Sequence, residues 1–231
     1  MKFKAISFDY FGTLVDADRG GEIGMARVLN RLGLQRDAAA DYLRWDQHAV
    51  QTYRGGRHRR YRVVAREALV ATLRDVAPEL GADADVDSLT ELLLAGLVED
   101  SPPYPEVPGV LAELRGRCPL LPITNMDTDL FNRSQLAHLF PSVVTAEMAG
   151  AYKPSERIFL KALETLGLDA ENVLHASLAT WADIEGAKPL GFAVAWINRA
   201  QERLGPWTPR PDHELPDLSG LPAIAAGTRS R

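Results

Sequence analysis

The feature that most restricts the fold is a long gap between strands. The run Phe3-Lys4-Ala5-Ile6-Ser7-Phe8-Asp9 is short and apolar and ends on an acid, the pattern of a buried strand. Between residues 17 and 98 no further strand pattern occurs. Apolar residues there recur at helical spacing, over 22–33, 38–53, 58–76 and 86–98. Val63, Val64, Ala68, Leu69 and Leu73 mark one face of the third stretch. Gly55-Gly56 separates the second stretch from the third, and Pro78 and Gly81 interrupt the chain before the fourth. After the rigid segment 101–109, rich in proline, strand and helix alternate. Helix 108–116 leads to strand 119–124, helix 128–138 to strand 141–145, helix 155–166 to strand 172–176, and helix 181–189 to strand 192–196.

Such alternation builds a Rossmann-like, open, mostly parallel sheet with helices on both faces. The expected architecture is therefore α/β, with a core of residues 1–16 and 100–231 and an inserted helical cap subdomain over 17–99. Residues 201–219, rich in proline and polar groups, read as a tail that Leu215, Leu218 and Leu221 pin back. Apolar residues make up 46% and charged residues 25% of the 231, a globular mixture that suits one core domain with an insertion. A net charge of -5 gives no general reason to bind nucleic acid. Arg54, Arg57, Arg59, Arg60, Arg62 and Arg66 run against that average. They read as a solvated helix face, with a role near an anionic substrate as the alternative. Cys118 is the only cysteine, so no intrachain disulfide forms. No apolar run approaches a membrane span, so the expectation is a cytoplasmic protein with no membrane partner.

Open parallel sheets bind ligands outside the carboxyl ends of their strands. Here the first strand ends at Asp9 and the second at Thr124-Asn125. Lys153-Pro154 follows the third, and Ser177, Thr180 and Asp183 follow the fourth. Polar residues often finish strands and cap helices, so any one of these is a weak signal. Together they bring an acid, hydrogen-bonding groups and a cation to one edge. His175 closes a strand and reads as a structural hydrogen-bonding residue in preference to a proton-transfer group. The five histidines and one cysteine lack zinc-ligand spacing, and no glycine run carries a nucleotide motif. No cofactor is expected.

Four segments in this order resemble the haloacid dehalogenase superfamily. They are Phe8-Asp9-Tyr10-Phe11-Gly12-Thr13-Leu14-Val15-Asp16, Ile123-Thr124-Asn125, Lys153-Pro154 with Phe159 downstream, and Asp183 before Gly186-Ala187. Val194-Ala195-Trp196-Ile197-Asn198-Arg199 also looks like a sheet-end segment of the dehalogenase-like branch. The resemblance implies that Asp9 is a nucleophile and that Lys153 neutralises negative charge. It implies that Asp183 orients Lys153 or activates water, and that Thr124 and Asn125 hold the substrate. Phe11 and Thr180 fall at further substrate positions, Thr180 where the branch often has asparagine. The branch binds its substrate carboxylate with an arginine in the first cap helices. Alignment puts Asp46-Gln47 there; Arg44 is the nearby candidate, with Arg54, Arg57 and Arg59 as alternatives.

The departures bear on the reaction. Phosphatases of the superfamily carry a second aspartate two positions after the nucleophile to protonate the leaving alcohol. Phe11 transfers no proton, whereas a departing halide needs none. Leu178 stands where the earlier acid of the fourth motif belongs, so the remaining carboxylates make a poor magnesium site. The expected function is metal-independent displacement, by an aspartate nucleophile, of a leaving group from carbon of a small, carboxylate-bearing substrate. A weak or repurposed phosphatase and a non-catalytic binding protein of the same fold stay open, as does the homodimer common in related proteins.

Overall fold

The computed structural model describes residues 1–54, 57–78 and 85–227; the break at Gly55-Gly56 and Gly81 lie outside them. The strands are β1 (Ala5–Phe8), β2 (Leu120–Thr124), β3 (Val144–Thr145), β4 (Val173–Ser177), β5 (Ala193–Ile197) and β6 (His213–Leu215). The helices are α1 (Ala17–Arg31), α2 (Ala38–Arg54), α3 (Tyr61–Val76), α4 (Val86–Glu99), α5 (Val107–Arg115), α6 (Thr128–Arg133), α7 (Ala146–Ala149), α8 (Glu156–Leu166), α9 (Glu185–Ala187) and α10 (Leu221–Ala226). The chain packs as two units. One comprises Met1–Val15, Pro103–Asn125 and Leu139–Arg231, the other Asp16–Pro102 and Met126–His138. The segment 126–138, which alternation alone assigns to the sheet domain, packs within the helical unit.

The first unit is an α/β domain. Its sheet has the order β3-β2-β1-β4-β5-β6, and every pair is parallel. Parallel strands covered on both faces must be apolar nearly throughout. β1 and β4 are buried at every position, with Ser7, His175 and Ser177 as the polar residues among them. From β1 the chain builds outward through β2 and β3, then crosses back to lay β4 on the other side of β1. That reversal leaves a crevice at the carboxyl ends of β1 and β4, where such sheets bind ligands. Phe8, Phe159, Phe192 and Val194 are among the core residues of this unit.

The expected tail is in part a sixth strand. Asp212 N donates to Val194 O at 2.9 Å and Asn198 N to Leu215 O at 2.7 Å, holding β6 beside β5. Leu218 and Leu221 are buried, and α10 follows. Three strand residues amid prolines leave too short a pattern to recognise in sequence. The helix expected over 181–189 is a π-helical turn, Thr180–Ile184, then α9 and a 3-10 turn that ends at Gly191.

The second unit is helical. α1 begins at Ala17, earlier than its apolar periodicity suggests, because Asp16 caps it by accepting from Arg19 N at 3.0 Å. α1 and α4 touch backbone to backbone. A Cβ at Gly24 would lie 2.3 Å from Leu93 O, and one at Gly96 would lie 2.3 Å from Gly24 Cα. α3 starts at Tyr61 because Asp127 accepts from the amides of Tyr61 and Arg62 at 2.8 and 3.0 Å. Four arginines of this stretch face acids: Arg60 and Arg62 pair with Asp129 at 2.7 and 2.8 Å, Arg66 with Asp87 at 2.5 Å, and Arg59 with Glu67. That is the solvated, ion-paired face. Among the described residues no helix is long and apolar enough to cross a membrane.

Candidate active site

Asp9 extends β1 by one residue, its amide donating to Ala176 O at 3.0 Å. The chain then turns sharply. Gly12 N donates to Val15 O at 2.8 Å, and Gly12 has φ +76°, a conformation that favours glycine. A side chain there would also meet Leu178 Cδ2 at 2.3 Å. The turn brings Thr13 back over the acid, and Thr13 Oγ1 donates to Asp9 Oδ2 at 2.8 Å while accepting from Leu178 N at 2.9 Å. Thr13 thus ties the loop after β1 to the loop after β4.

Lys153 arrives from the connection between β3 and β4. Its amide donates to Asn125 Oδ1 at 2.8 Å, so Asn125 anchors the lysine backbone. Its Nζ donates to Asp9 Oδ1 at 2.6 Å and to Asp183 Oδ1 and Oδ2 at 2.9 and 3.1 Å. The lysine is 3% exposed, Asp9 7% and Asp183 0%, so the triad is almost dry. Behind it, His175 Nε2 lies 2.8 Å from Asp183 Oδ1, and Nδ1 lies 2.9 Å from Ser7 Oγ.

Two carboxylates around one ammonium do not titrate alike. Burial raises the Asp9 carboxyl above its usual value; Lys153 opposes this and the Asp183 charge adds to it. Burial acts on Asp183 too, but the Lys153 charge and the hydrogen bond from His175 outweigh it and hold Asp183 below the usual range. Lys153 is raised, since the two acids outweigh its own desolvation. Acid therefore protonates Asp9 first and leaves the Lys153–Asp183 pair intact. Asp9 and Asp183 are the carboxylates gathered here, and with Phe11 and Leu178 apolar they leave a magnesium ion short of its six oxygen ligands. Among the described residues no group of three or more His, Cys, Asp or Glu is arranged to hold a metal.

The anticipated residues thus divide. Asp9 and Asp183 meet at the Lys153 ammonium, and Asn125 holds the Lys153 backbone. Thr124 is buried at the end of β2, beside Thr145 in the register. Phe11 is half-buried, edge-on to Tyr10 with ring centroids 5.6 Å apart. Thr180 begins the π-helical turn that carries Asp183. Arg44 belongs to the helical unit, half-exposed, with Asp75 at 3.8 Å. Thr13, Ser7 and the bond from His175 to Asp183 escaped assignment. A threonine four residues after the acid, across a glycine turn, was the available signal for Thr13. Ser7 needed the strand register.

The profile of haloacid dehalogenase-like hydrolases matches residues 3–191. Haloacetate dehalogenase H-2 of Moraxella sp. (strain B) is 29% identical, over 97% of this chain and 99% of its own. Glyceraldehyde 3-phosphate phosphatase of Methanopyrus kandleri is 28% identical, over 93% of this chain and 91% of its own. Among solved structures, a defluorinating L-2-haloacid dehalogenase is 26% identical and superposes with a TM-score of 0.82, covering 97% of this chain and 95% of the other.

Proposed function

Because this chain belongs to the haloacid dehalogenase-like hydrolases, in their L-2-haloacid dehalogenase-like branch, it is a hydrolase, and we propose that Asp9 is its nucleophile. Asp9 attacks a saturated carbon of a small, carboxylate-bearing substrate of the 2-haloacid type. One Asp9 oxygen forms a bond to that carbon, and the carbon–halogen bond breaks with its electron pair leaving on halide. Water then adds to the carboxyl carbon of the resulting ester. The hydroxy acid departs with the original Asp9 oxygen, and one proton is released.

The residues in place support each half. A carboxylate becomes a useful nucleophile when it is desolvated and aimed. Asp9 is 7% exposed and gripped by Lys153 and Thr13. In the second half, whichever oxygen has been alkylated, the other keeps a donor at 2.6 or 2.8 Å for the negative charge that develops on it. Asp183 keeps Lys153 charged throughout. What carries this reading is the grip on Asp9 together with Phe11, which has no proton to give, and Leu178, which offers no oxygen to magnesium, at the positions where a phosphatase has acids. The phosphatase relative favours a second reading, magnesium-dependent phosphate release, which the same two apolar residues oppose.

The test is one turnover of 2-chloropropionate with excess enzyme in oxygen-18 water. The expected label is in the Asp9 carboxyl, with the product oxygen unlabelled. Label in product and none in Asp9 refutes the covalent route.

A further inference from the structure

Ser7 and His175 are register partners on β1 and β4, both fully buried, and together they form a second layer behind the triad. The hydrogen bonds run in one line. Ser7 Oγ meets His175 Nδ1 at 2.9 Å, and His175 Nε2 meets Asp183 Oδ1 at 2.8 Å. That same oxygen accepts from Lys153 Nζ at 2.9 Å, and Nζ reaches Asp9 at 2.6 Å. An ionised carboxylate only accepts, so Nε2 must carry the proton. Nδ1 then accepts from the Ser7 hydroxyl in the neutral ring, or donates to it in the charged one. The ring also stands edge-on to Phe159, with centroids 5.7 Å apart, and to Phe192 at 6.4 Å. Thus Ser7 and Asp183 are the polar groups hydrogen-bonded to His175. Lys153 and His175 are those hydrogen-bonded to Asp183, with Asp9 reached through Lys153.

We propose that His175, seated by Ser7, is a positioning residue that fixes Asp183 as an acceptor aimed at Lys153 and so holds the ammonium at Asp9. The imidazole N–H occupies one lone pair of Asp183 Oδ1 and blocks rotation of a carboxylate that is otherwise bound only to a flexible lysine. Without that N–H, Asp183 is a buried acid with a single partner and takes up a proton more readily, in line with the part His175 plays in holding it ionised. A protonated Asp183 releases Lys153 to pair with Asp9 alone, which blunts the nucleophile. The catalytic consequence rests on the function proposed above; the effect on Asp183 does not.

The two are read separately. In a protein carrying carbon-13 in its aspartate carboxyls, His175→Leu should move the Asp183 titration up by about one unit. His175→Gln, whose side-chain amide reaches the place of Nε2, should restore most of the original value. With 2-chloropropionate as substrate, the acid limb of kcat should rise in step in His175→Leu, with kcat down roughly tenfold and KM little changed. An Asp183 titration that is the same in wild type, Leu and Gln variants overturns the proposal. So does a glutamine variant no better than leucine. Should His175→Leu fail to fold, the imidazole nitrogen-15 spectrum of the wild type decides. A proton on Nδ1 alone overturns the proposal, and one on Nε2 supports it. Failure of the oxygen-18 experiment with these spectra as expected would sink the dehalogenase reading and leave the His175 assignment standing.

Discussion

Replacing Lys153 by methionine removes the ammonium that Asp9 and Asp183 share while keeping most of the buried stem. Solvent cannot step in, because the two carboxylates are 7% and 0% exposed. Removing one partner of a buried ion pair costs about 3–5 kcal/mol, since the other is left charged and dry. Proton uptake recovers part of this. Asp9 is already raised by burial with Lys153 present, so it is the group that takes the proton in the variant. The sign follows by linkage. In the variant both carboxyls lose a cation and both move upward, so above the unfolded aspartate value the native state binds more protons than the unfolded chain. Stability then falls as pH rises. Each unit of displacement is about 1.4 kcal/mol. Urea unfolding at about pH 5 and about pH 8 should therefore show a deficit, relative to wild type, that is larger by at least ~2 kcal/mol at the higher pH. Adding Asp183→Asn, which deletes one orphaned acid and keeps an acceptor for His175, should recover a good part of it. Equal deficits at both pH values, or a double variant no more stable than the single, would refute the compensation argument.

Three further outcomes follow from the structure. Thr13→Val is nearly isosteric but leaves Asp9 Oδ2 and Leu178 N without their shared hydroxyl; steady-state kinetics should show kcat lower by roughly 10²-fold with the fold intact by circular dichroism. Gly24→Ala puts a Cβ 2.3 Å from the backbone oxygen of Leu93; the expected net loss of about 1–2 kcal/mol in urea, overpacking minus the helix-propensity gain, is disproved by a variant that is more stable. Asp46 is raised to about 6, by burial and then by Asp18. The native state therefore holds this proton more tightly than the unfolded chain. Stability declines as pH climbs from about 4 to about 6, by no more than about 3 kcal/mol, and Asp46→Asn should flatten that slope.

Much of this protein is readable in its amino-acid order, because local patterns carry local physics. The apolar run ending at Asp9, the strand-free stretch after it and the alternation from residue 108 onward identify an α/β sheet with an inserted helical segment. Loops at the carboxyl ends of parallel strands converge whatever their separation in sequence, which is why Asp9, Asn125, Lys153 and Asp183 were legible as one constellation. What local pattern cannot contain is the partner of a group. The cap on α3 comes from Asp127, far along the chain, so the start at Tyr61 had no sequence signal. β6 exists because β5 offers it an edge, not because three residues among prolines favour a strand. His175 reads from sequence as a structural hydrogen-bonding residue with no partner named, and Ser7 as one position of a strand. Only the parallel register of β1 against β4 sets them side by side and turns the imidazole toward Asp183. A strand's own residues decide that it is buried, but which neighbour it meets, and at which residue, is settled when the whole sheet assembles.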